Sequence, residues 1–143
     1  MIDISLCKKK DFNTLIQIEK SIFQNYSSKN ELKTLDKHSS HVIWKIEEKK
    51  ILGFVSFFHV KDEIEIIKIC IIKSYQRKNY GSILINEIKK LKIKKIFLEV
   101  SVENINAINF YFKNGFQKIG VRKEYYAKHK GSRIDALSLC IKL

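Results

Sequence analysis

The spacing of hydrophobic residues changes from a period of two to a helical period near the start of the chain. Residues Ile2 to Cys7 alternate between apolar and polar side chains, which predicts a first strand. Residues 28–31 have the pattern of a capping box, which predicts a second, short helix that ends at Leu35. Between them, a broad stripe at helical spacing predicts a first helix and consists of Phe12, Leu15, Ile16, Ile18, Ile22 and Phe23.

The middle of the chain predicts three strands joined by short charged turns. Val42, Trp44 and Ile46 alternate with polar neighbours, and a turn at residues 48–50 leads into a strand from Ile51 to Val60. These two strands are expected to pair as a hairpin. A second turn at residues 61–62 leads into a strand from Ile64 to Ile72.

The chain then returns to helical spacing twice. After Gly81 the apolar residues recur at i, i+4 and i+7, which predicts a helix. The nearly continuous apolar run from Lys95 to Val100 predicts a central strand that is covered on both faces. Asn104 is a good N-cap for a further helix, and Asn114 and Gly115 are expected to close it because glycine tolerates a left-handed backbone.

The predicted elements fit one α/β (α+β) domain that spans residues 1–143. Two last strands, from Phe116 to Tyr126 and from Ile134 to Ile141, complete the order β-α-α-β-β-β-α-β-α-β-β. That order predicts a single mixed central sheet flanked by helices on both faces. A length of 143 residues suits one domain, and the chain has neither an internal repeat nor a linker.

Composition excludes several classes of protein. No run approaches the ~18 apolar residues of a membrane span, and the N-terminus lacks an export pattern, so we expect a cytoplasmic protein with no membrane partner. Cys7, Cys70 and Cys140 are far apart in apolar stretches, where a free thiol acts as a small hydrophobic group. Neither the cysteines nor the four histidines have metal-ligand spacing, so no metal site is predicted.

The net charge of +13, from 28 basic and 15 acidic residues, is the largest anomaly of composition. One interpretation is electrostatic attraction to nucleic acid or to the ribosome. The other is a compositional bias, because the lysines are scattered along the chain rather than gathered on one helix face. We favour the bias and expect no specific nucleic-acid partner. The charge suits an anionic cofactor that carries several phosphates.

The most informative stretch is residues 69–82, where an apolar strand leads into a short basic loop that opens an amphipathic helix. The unsatisfied N–H groups and the dipole at a helix start favour a pyrophosphate. Gly81 is expected to let a phosphate approach the backbone, while Arg77 and Lys78 supply cations. The alternative is an ordinary capped helix after a lysine-rich turn.

This loop resembles the signature of the GNAT acetyltransferases, in which glutamine or arginine, two residues, glycine, one residue and then glycine or alanine follow one another. Gln76 and Gly81 match it. Asn79 stands at the first glycine position, where asparagine is the residue best suited to positive φ after glycine. The resemblance implies acetyl-CoA as cofactor and a strand that splays from its neighbour to bind it. The implied cofactor-binding residues are Ile69, Cys70, Ile71, Gln76, Arg77, Lys78, Asn79, Tyr80, Gly81, Ser82 and Asn104, with the Ile69 N–H directed at the acetyl carbonyl.

Glu99 is the candidate for acid–base chemistry, because it interrupts an apolar strand. A buried carboxylate is costly unless another group pairs with it or the chemistry uses it. Burial raises the pKa of a carboxyl group toward the range that suits a general base. A salt bridge to one of the many lysines, or a solvated strand end, is the alternative.

The stretch from Leu98 to Phe116 resembles the RimI type of ribosomal-protein alanine N-acetyltransferase. It shares that family's pattern of leucine-glutamate-valine, asparagine, alanine-isoleucine, tyrosine and glycine-phenylalanine, and the similarity continues into residues 122–126 and 135–137. Ala127 replaces a proline that is common in the family. The family's aromatic-serine element near the second helix corresponds to residues 26–27.

The resemblance assigns roles to individual residues. Glu99 is implied as the general base that deprotonates the acceptor amine through water, and Tyr111 as the general acid that protonates the leaving thiolate. Tyr26, Tyr125 and Tyr126 are the implied substrate-binding residues. The alternatives are a core position for Tyr111 and cross-strand pairing for Tyr125 and Tyr126. The transfer is expected to be a direct attack, without a cysteine nucleophile.

The sequence therefore predicts an N-acetyltransferase that moves the acetyl group of acetyl-CoA to a primary amine. The expected acceptor is the N-terminal α-amine of a protein such as a ribosomal protein. One alternative is a GNAT enzyme that acts on a small amine or a lysine side chain. The other is a basic RNA- or ribosome-binding module that keeps the fold without turnover.

Overall fold

The computed structural model describes residues 1–23, 29–127 and 131–143. Within them, the order of elements is the predicted one. The strands are β1 (Asp3–Leu6), β2 (His41–Glu48), β3 (Lys50–Val60), β4 (Glu63–Ile71), β5 (Lys95–Ser101), β6 (Gln117–Ala127) and β7 (Arg133–Lys142). The helices are α1 (Phe12–Ile22), α2 (Lys29–Asp36), α3 (Tyr80–Lys89) and α4 (Ile105–Lys113). The capping box predicted at residues 28–31 begins outside the described residues.

The seven strands form one sheet in the order β1-β2-β3-β4-β5-β7-β6. Strands β2, β3 and β4 form an antiparallel meander through the two predicted turns, and β1 pairs antiparallel with β2. β4 and β5 are parallel, because the chain crosses over through α3 between them. The final hairpin places β7 beside β5 and leaves β6 at the edge of the sheet. The mixed sheet predicted from the element order is confirmed.

A separate core lies on each face of the sheet. On one face, α3 and α4 pack on alternate residues of the strands, including Val55, Ile64, Ile96, Leu98 and Val100. On the other face, α1 and α2 cover a smaller core that consists of Phe12, Leu15, Ile18, Leu32, Ile43, Phe54 and Cys70. The amphipathic stripe predicted for the first helix is therefore the contact surface of α1.

The prediction that β5 is covered on both faces is wrong. Ile96, Leu98 and Val100 are buried, whereas the alternate residues Phe97 and Glu99 are only half-buried. The reason lies in the placement of the helices, since α1 and α2 contact β2, β3 and β4. The second face of β5 is therefore open at its carboxyl end.

A buried ion pair attaches the start of α1 to the sheet. The Lys45 ammonium lies 3.0 Å from Asp11 Oδ2, with side-chain exposures of 11% and 10%. Burial opposes the charge of Asp11, but the Lys8 N–H and the Lys45 ammonium outweigh it and lower the pKa of that carboxyl. Each charge has the other as its partner, because an unpaired charge would be costly to bury in either core.

Three other predictions concern membrane spans, metals and cysteines. None of the described helices is long and apolar enough to span a bilayer. Among the described residues, no three histidine, cysteine, aspartate or glutamate side chains are grouped so that they could hold a metal ion. Cys70 and Cys140 are buried and Cys7 is half-buried, as expected of thiols that fill space in apolar surroundings.

Candidate active site

The centre of the sheet opens where β4 separates from β5. Among the described residues, the two strands pair only at their first positions, where Glu63 to Glu65 of β4 face Lys95 to Phe97 of β5. β5 pairs with β7 along its whole length. Beyond Glu65, the described part of β4 pairs only with β3. The predicted splay of the strand before the basic loop is confirmed.

The main chain of β4 presents free polar groups to this gap. The Ile72 N–H donates to the Leu52 carbonyl at 2.9 Å, which fixes the alternation of hydrogen-bonded pairs between β3 and β4. Ile71 and Ile69 are then the residues whose N–H and C=O groups point away from β3. No strand pairs with them on the other side within the described part of the chain. The two N–H groups predicted to bind a cofactor arm therefore have no strand partner on that side among the described residues.

The basic loop is tied to the end of β4 by Gln76. Its side-chain amide donates to the Ile71 carbonyl at 2.8 Å, which folds the loop back onto the strand. Arg77 and Asn79 both have positive φ, 61° and 71° respectively. The expectation that Asn79 takes the left-handed conformation of the usual glycine is confirmed. Arg77, Lys78 and Asn79 are exposed, so the cations face solvent.

The first turn of α3 follows this loop with its N–H groups uncapped. Asn79 is the N-cap residue, and its side chain makes no capping hydrogen bond. The N–H groups of Tyr80, Gly81 and Ser82 are thus without helical partners, which is the arrangement that attracts an anion. The Tyr80 hydroxyl donates to Glu48 at 3.3 Å and joins this turn to the end of β2.

Gly81 is required for a reason that differs from the expectation. A Cβ at this position would lie 2.9 Å from Cζ of Phe110, on α4. The missing Cβ of Gly81 thus leaves room for α4, and the approach of a phosphate to its backbone stays a prediction. Close packing of two helices, which the sequence pattern did not reveal, explains the glycine.

The carboxylate of Glu99 is held by two donors at the open face of β5. Arg122 Nη1 donates to Oε1 at 3.2 Å, and the Ser138 hydroxyl donates to Oε2 at 2.7 Å. The Glu99 side chain is 19% exposed. The ion-pair alternative is realised, although with an arginine instead of a lysine. Two lone-pair positions remain for a water or an amine, because an ionised carboxylate accepts about four hydrogen bonds.

Tyr111 lies in the core between the sheet and α4, with 7% of its surface exposed. Burial raises the pKa of its hydroxyl well above the ordinary value, and the nearby Cys70 and Tyr126 add to the shift. All enclosed side-chain oxygens and nitrogens among the described residues have a hydrogen-bond partner. No described residue makes a hydrogen bond to the Tyr111 hydroxyl. This oxygen is therefore not fully buried. Tyr111 therefore occupies the core position of the alternative interpretation, while its hydroxyl oxygen keeps some accessible surface.

Glu99 and Tyr111 lie on opposite faces of the sheet. Tyr111 packs in the same core as Leu98 and Val100, the neighbours of Glu99 on β5. Because side chains alternate along a strand, Glu99 projects from the other face. The two candidate residues thus flank β5, with the carboxylate on the open face and the phenol in the core that α3 and α4 cover.

Asn104 is the N-cap of α4, as predicted. Its side-chain oxygen accepts from the Ala107 N–H at 3.2 Å. The left-handed Gly115, with φ of 96°, follows the end of the helix. The cap uses the oxygen of the amide and leaves its NH₂ group for a further contact, so a role in cofactor binding stays a prediction.

A bulge near the end of β6 places the two tyrosines. The β6–β7 register shifts between Arg122 and Tyr126, and Glu124 has a φ of 51°. The Glu124 N–H donates to Asp135 at 2.8 Å, which pins the bulge. The rings of Tyr125 and Tyr126 meet edge to face, 4.9 Å between centroids. Tyr126 also stands opposite Ile134 on β7, so the cross-strand alternative holds for Tyr126, whereas Tyr125 lies in the bulge.

Tyr126 connects this bulge to the candidate base. Its hydroxyl donates to the main-chain carbonyl of Glu99 at 3.0 Å. Burial raises the pKa of Tyr126 to about 12, with Tyr125 and Glu99 adding to the shift and Arg122 opposing it. Tyr126 is therefore a neutral hydrogen-bond donor at ordinary pH. The third predicted substrate-binding residue, Tyr26, lies outside the described residues.

Sequence reasoning missed the role of two residues at this site. Ser138 belongs to no recognisable motif, and Arg122 enters the sequence pattern only as part of the similarity at residues 122–126. Ser138 had a detectable signal, because it is the one hydroxyl in the apolar run from Ala136 to Ile141. Its contact with Glu99 nevertheless depends on the β5–β7 register, which joins residues 39 positions apart.

These features fit an extended ligand with a pyrophosphate at one end. The uncapped start of α3 and the exposed cations suit the phosphates. The free N–H groups of Ile69 and Ile71 suit an amide-containing arm in the gap. The residues present are therefore compatible with acetyl-CoA. Cys70 is buried in the other core, and burial strongly raises the pKa of its thiol, so a thiolate is disfavoured there.

Comparison with known proteins agrees with this geometry. A family model described as the acetyltransferase (GNAT) family matches residues 9–116. A ribosomal protein bS18-alanine N-acetyltransferase of Haemophilus influenzae is 30% identical over 138 residues, which cover 94% of each chain.

Solved structures show the same likeness. The ribosomal-protein-S18-alanine N-acetyltransferase from Escherichia coli has a TM-score of 0.86 at 25% identity, covering 99% of this chain and 94% of that one. A spermidine N-acetyltransferase chimera from Vibrio cholerae and hSSAT has a TM-score of 0.83 at 24% identity, covering 99% and 95%. The second likeness concerns the fold alone.

Proposed function

Because this chain belongs to the acetyltransferase (GNAT) family and is an N-acetyltransferase, we propose that it acetylates the N-terminal α-amine of a protein by direct attack. A ribosomal protein is the proposed acceptor, since the Haemophilus influenzae relative is named for that activity. One observation carries the proposal. The Tyr126 hydroxyl bonds the main chain of Glu99 at 3.0 Å, which joins a candidate peptide wall to a candidate base.

The donor side is assigned to the gap and the basic loop. Acetyl-CoA supplies a thioester whose carbonyl carbon is open to attack by an amine. The N–H groups of Tyr80, Gly81 and Ser82 would hold the pyrophosphate, together with Arg77, Lys78 and Asn79. The N–H groups of Ile69 and Ile71, on either side of Cys70, would bind the arm. The Ile69 N–H would stabilise the developing oxyanion. Gln76 would act by shaping the loop, and Asn104 by a further contact of its amide.

The chemical side is assigned to two residues on opposite faces of the sheet. Glu99 would take a proton from the attacking amine through water, since its carboxylate keeps free lone pairs beside two fixed donors. Tyr111 would protonate the leaving thiolate. Burial raises the pKa of Tyr111, so its hydroxyl stays protonated and ready to donate throughout the working range.

The acceptor is proposed to be an α-amine because its chemistry makes the smaller demand on the base. An α-amine has a pKa near ~8, whereas a lysine side chain has a pKa near ~10.4. The fraction of neutral nucleophile at pH 7 is therefore hundreds-fold higher for the α-amine. Tyr125 and Tyr126, with Tyr26, would form the walls of the peptide site.

A thiol-release assay with three matched acceptors tests the proposal. The acceptors are a peptide with a free N-terminal alanine and acetylated lysines, the same peptide with a blocked N-terminus and free lysines, and spermidine. We expect turnover with the first and at least tenfold less with the others. Equal rates for the blocked peptide would contradict an α-amine acceptor, and preferential turnover of spermidine would favour a small-amine enzyme.

The binding-module alternative needs a separate measurement. A mobility-shift assay with RNA in rising salt, run beside the thiol-release assay, separates it from an enzyme. RNA binding together with no thiol release from any acceptor would overturn the proposed function. Weak binding that disappears at moderate salt, together with turnover, would agree with it.

A further inference from the structure

Two side chains hold the carboxylate of Glu99, one on the adjacent strand β7 and one on the edge strand β6. Ser138 stands directly opposite Glu99 in the β5–β7 ladder and donates to Oε2 at 2.7 Å. Arg122, on β6, donates to Oε1 at 3.2 Å. A carboxylate with one donor on each oxygen keeps one orientation, whereas a single donor leaves rotation about the last side-chain bond.

Arg122 is itself held in place on its far side. Its guanidinium lies 4.2 Å from the ring centroid of Tyr125, a cation–π contact. Arg122 also stands at the last paired position before the bulge that carries the two tyrosines. The Arg133 side chain secures that bulge by donating to the Glu124 carbonyl at 2.7 Å. A series of contacts therefore runs from the bulge through the guanidinium to the carboxylate.

We propose that Arg122 is a positioning residue for acetyl transfer, which holds the Glu99 carboxylate in one orientation on the open face of β5 and couples it to Tyr125. The proposal rests on the base role given to Glu99 in the proposed function. Arg122 cannot itself act as a base or an acid, because a guanidinium stays protonated in proteins. Its effect is expected on turnover and not on binding of the donor, since the basic loop lies on other elements.

The exchange Arg122→Met keeps much of the side-chain length and removes the charge and the donors. We expect kcat for a peptide with a free N-terminal alanine to fall on the order of 10- to 100-fold, as misplacement of a reacting group does. KM for acetyl-CoA should stay within about twofold, and the melting temperature should change little because Arg122 is exposed. Arg122→Lys, which restores the charge without the planar fork, should recover part of the rate.

Lys123→Met is the matched control. Lys123 is adjacent and carries the same charge, but its ammonium lies 3.6 Å from Asp135 instead of Glu99. Its loss should leave kcat near that of the unmodified protein. If Lys123→Met lowers kcat as much as Arg122→Met, general loss of positive charge is the cause and the proposal is wrong.

A double-mutant cycle with Glu99→Gln completes the test. In that background Arg122→Met should have almost no further effect, because the group that it positions is gone. If the two losses multiply, Arg122 acts independently of Glu99 and the proposal fails. A higher kcat in Arg122→Met would also overturn it, since the ion pair would then restrain the base. If Glu99→Gln alone leaves the rate unchanged, it is instead the base assignment of the proposed function that fails.

Discussion

At the scale of single residues, Glu99 and Tyr111 differ in what surrounds their reactive atoms. Both carboxylate oxygens of Glu99 have a protein donor, and the side chain lies at an open face of the sheet. The Tyr111 ring is packed against Phe110 and Phe116, yet no described residue bonds its hydroxyl. The first environment suits a fixed hydrogen-bond acceptor for an amine or a water molecule. The second suits a neutral donor to a leaving group.

These environments predict pH profiles of different shape for Glu99→Gln and Tyr111→Phe. Glu99→Gln should lower the rate most at low pH, where few acceptor amines are neutral, and rising pH should recover part of the loss. Burial raises the pKa of Tyr111, so its phenol is protonated at every usable pH. The loss in Tyr111→Phe should therefore be independent of pH, within the ~10²–10⁴-fold range of positioned acid catalysis.

Rates of thiol release between pH 6 and 9 would measure both profiles, with calorimetry of acetyl-CoA binding as the control for cofactor affinity. Tyr111→Phe keeps the ring, so its contacts with Phe110 and Phe116 and its melting temperature should be preserved. Parallel losses at all pH values in both variants, together with falling melting temperatures, would show structural roles and remove the catalytic assignment.

At the scale of elements, the site depends on contacts between segments that are distant in sequence. The first turn of α3 is packed so closely on α4 that a Cβ at Gly81 would lie 2.9 Å from Phe110. The next residue of α4 is Tyr111. One contact therefore sets both the N-terminus proposed to bind the phosphates and the helix that carries the candidate acid.

The exchange Gly81→Ala should lower the free energy of unfolding by about 1–3 kcal/mol through overpacking against the Phe110 ring. In a Phe110→Leu background, which lacks the ring atoms that meet the new Cβ, the same exchange should cost much less. Urea denaturation of the four proteins measures this coupling. An equal cost in both backgrounds would contradict the packing explanation for the glycine.

Calorimetry with acetyl-CoA on the same four proteins separates packing from phosphate approach. If affinity lost in Gly81→Ala returns with Phe110→Leu, the glycine acts only through α4. If the loss of affinity persists in the Phe110→Leu background, the absence of a side chain at Gly81 also serves the approach of the phosphate. Gly81→Asp should bind acetyl-CoA weakly in both backgrounds, because its carboxylate adds a like charge beside the pyrophosphate.

Among the described residues, local pattern was sufficient to predict every α-helix and strand, but neither the two short 3-10 helices nor the pairing between elements. Asn79 illustrates the first case, because its preference for a left-handed backbone is intrinsic and the structure has φ of 71° there. Ser138 illustrates the second, since its bond to Glu99 depends on the register of two strands. The coverage of β5 was wrong for the same reason. An apolar run does not say which helices reach its second face.

At the scale of the whole molecule, the net charge of +13 is less evenly spread than the scattered lysines suggested. At the end of the sheet where β5 begins, the described residues gather Lys61, Lys89, Lys90, Lys92, Lys94, Lys95 and Lys142. Three carboxylates there, Glu87, Asp62 and Glu63, pair with Lys90, Lys94 and Lys95 respectively. Lys92 is exposed in the middle of this group. The basic end is remote from the carboxyl end of β5, where the candidate site lies.

Like charges at this density repel in the folded state, so stability should increase when salt screens them. The Debye length falls from ~10 Å at 0.1 M salt to ~3 Å at 1 M, and the melting temperature should therefore rise by a few degrees over that range.

Lys92→Glu should raise the melting temperature at low salt by reducing the repulsion at the basic end, an effect of up to ~1 kcal/mol for an exposed charge. In 1 M KCl the variant and the unmodified protein should melt alike. A difference that persists at 1 M would point to a local structural effect of residue 92, and a melting temperature that falls with salt would show that attractive ion pairs such as the buried Asp11–Lys45 contact outweigh the repulsion.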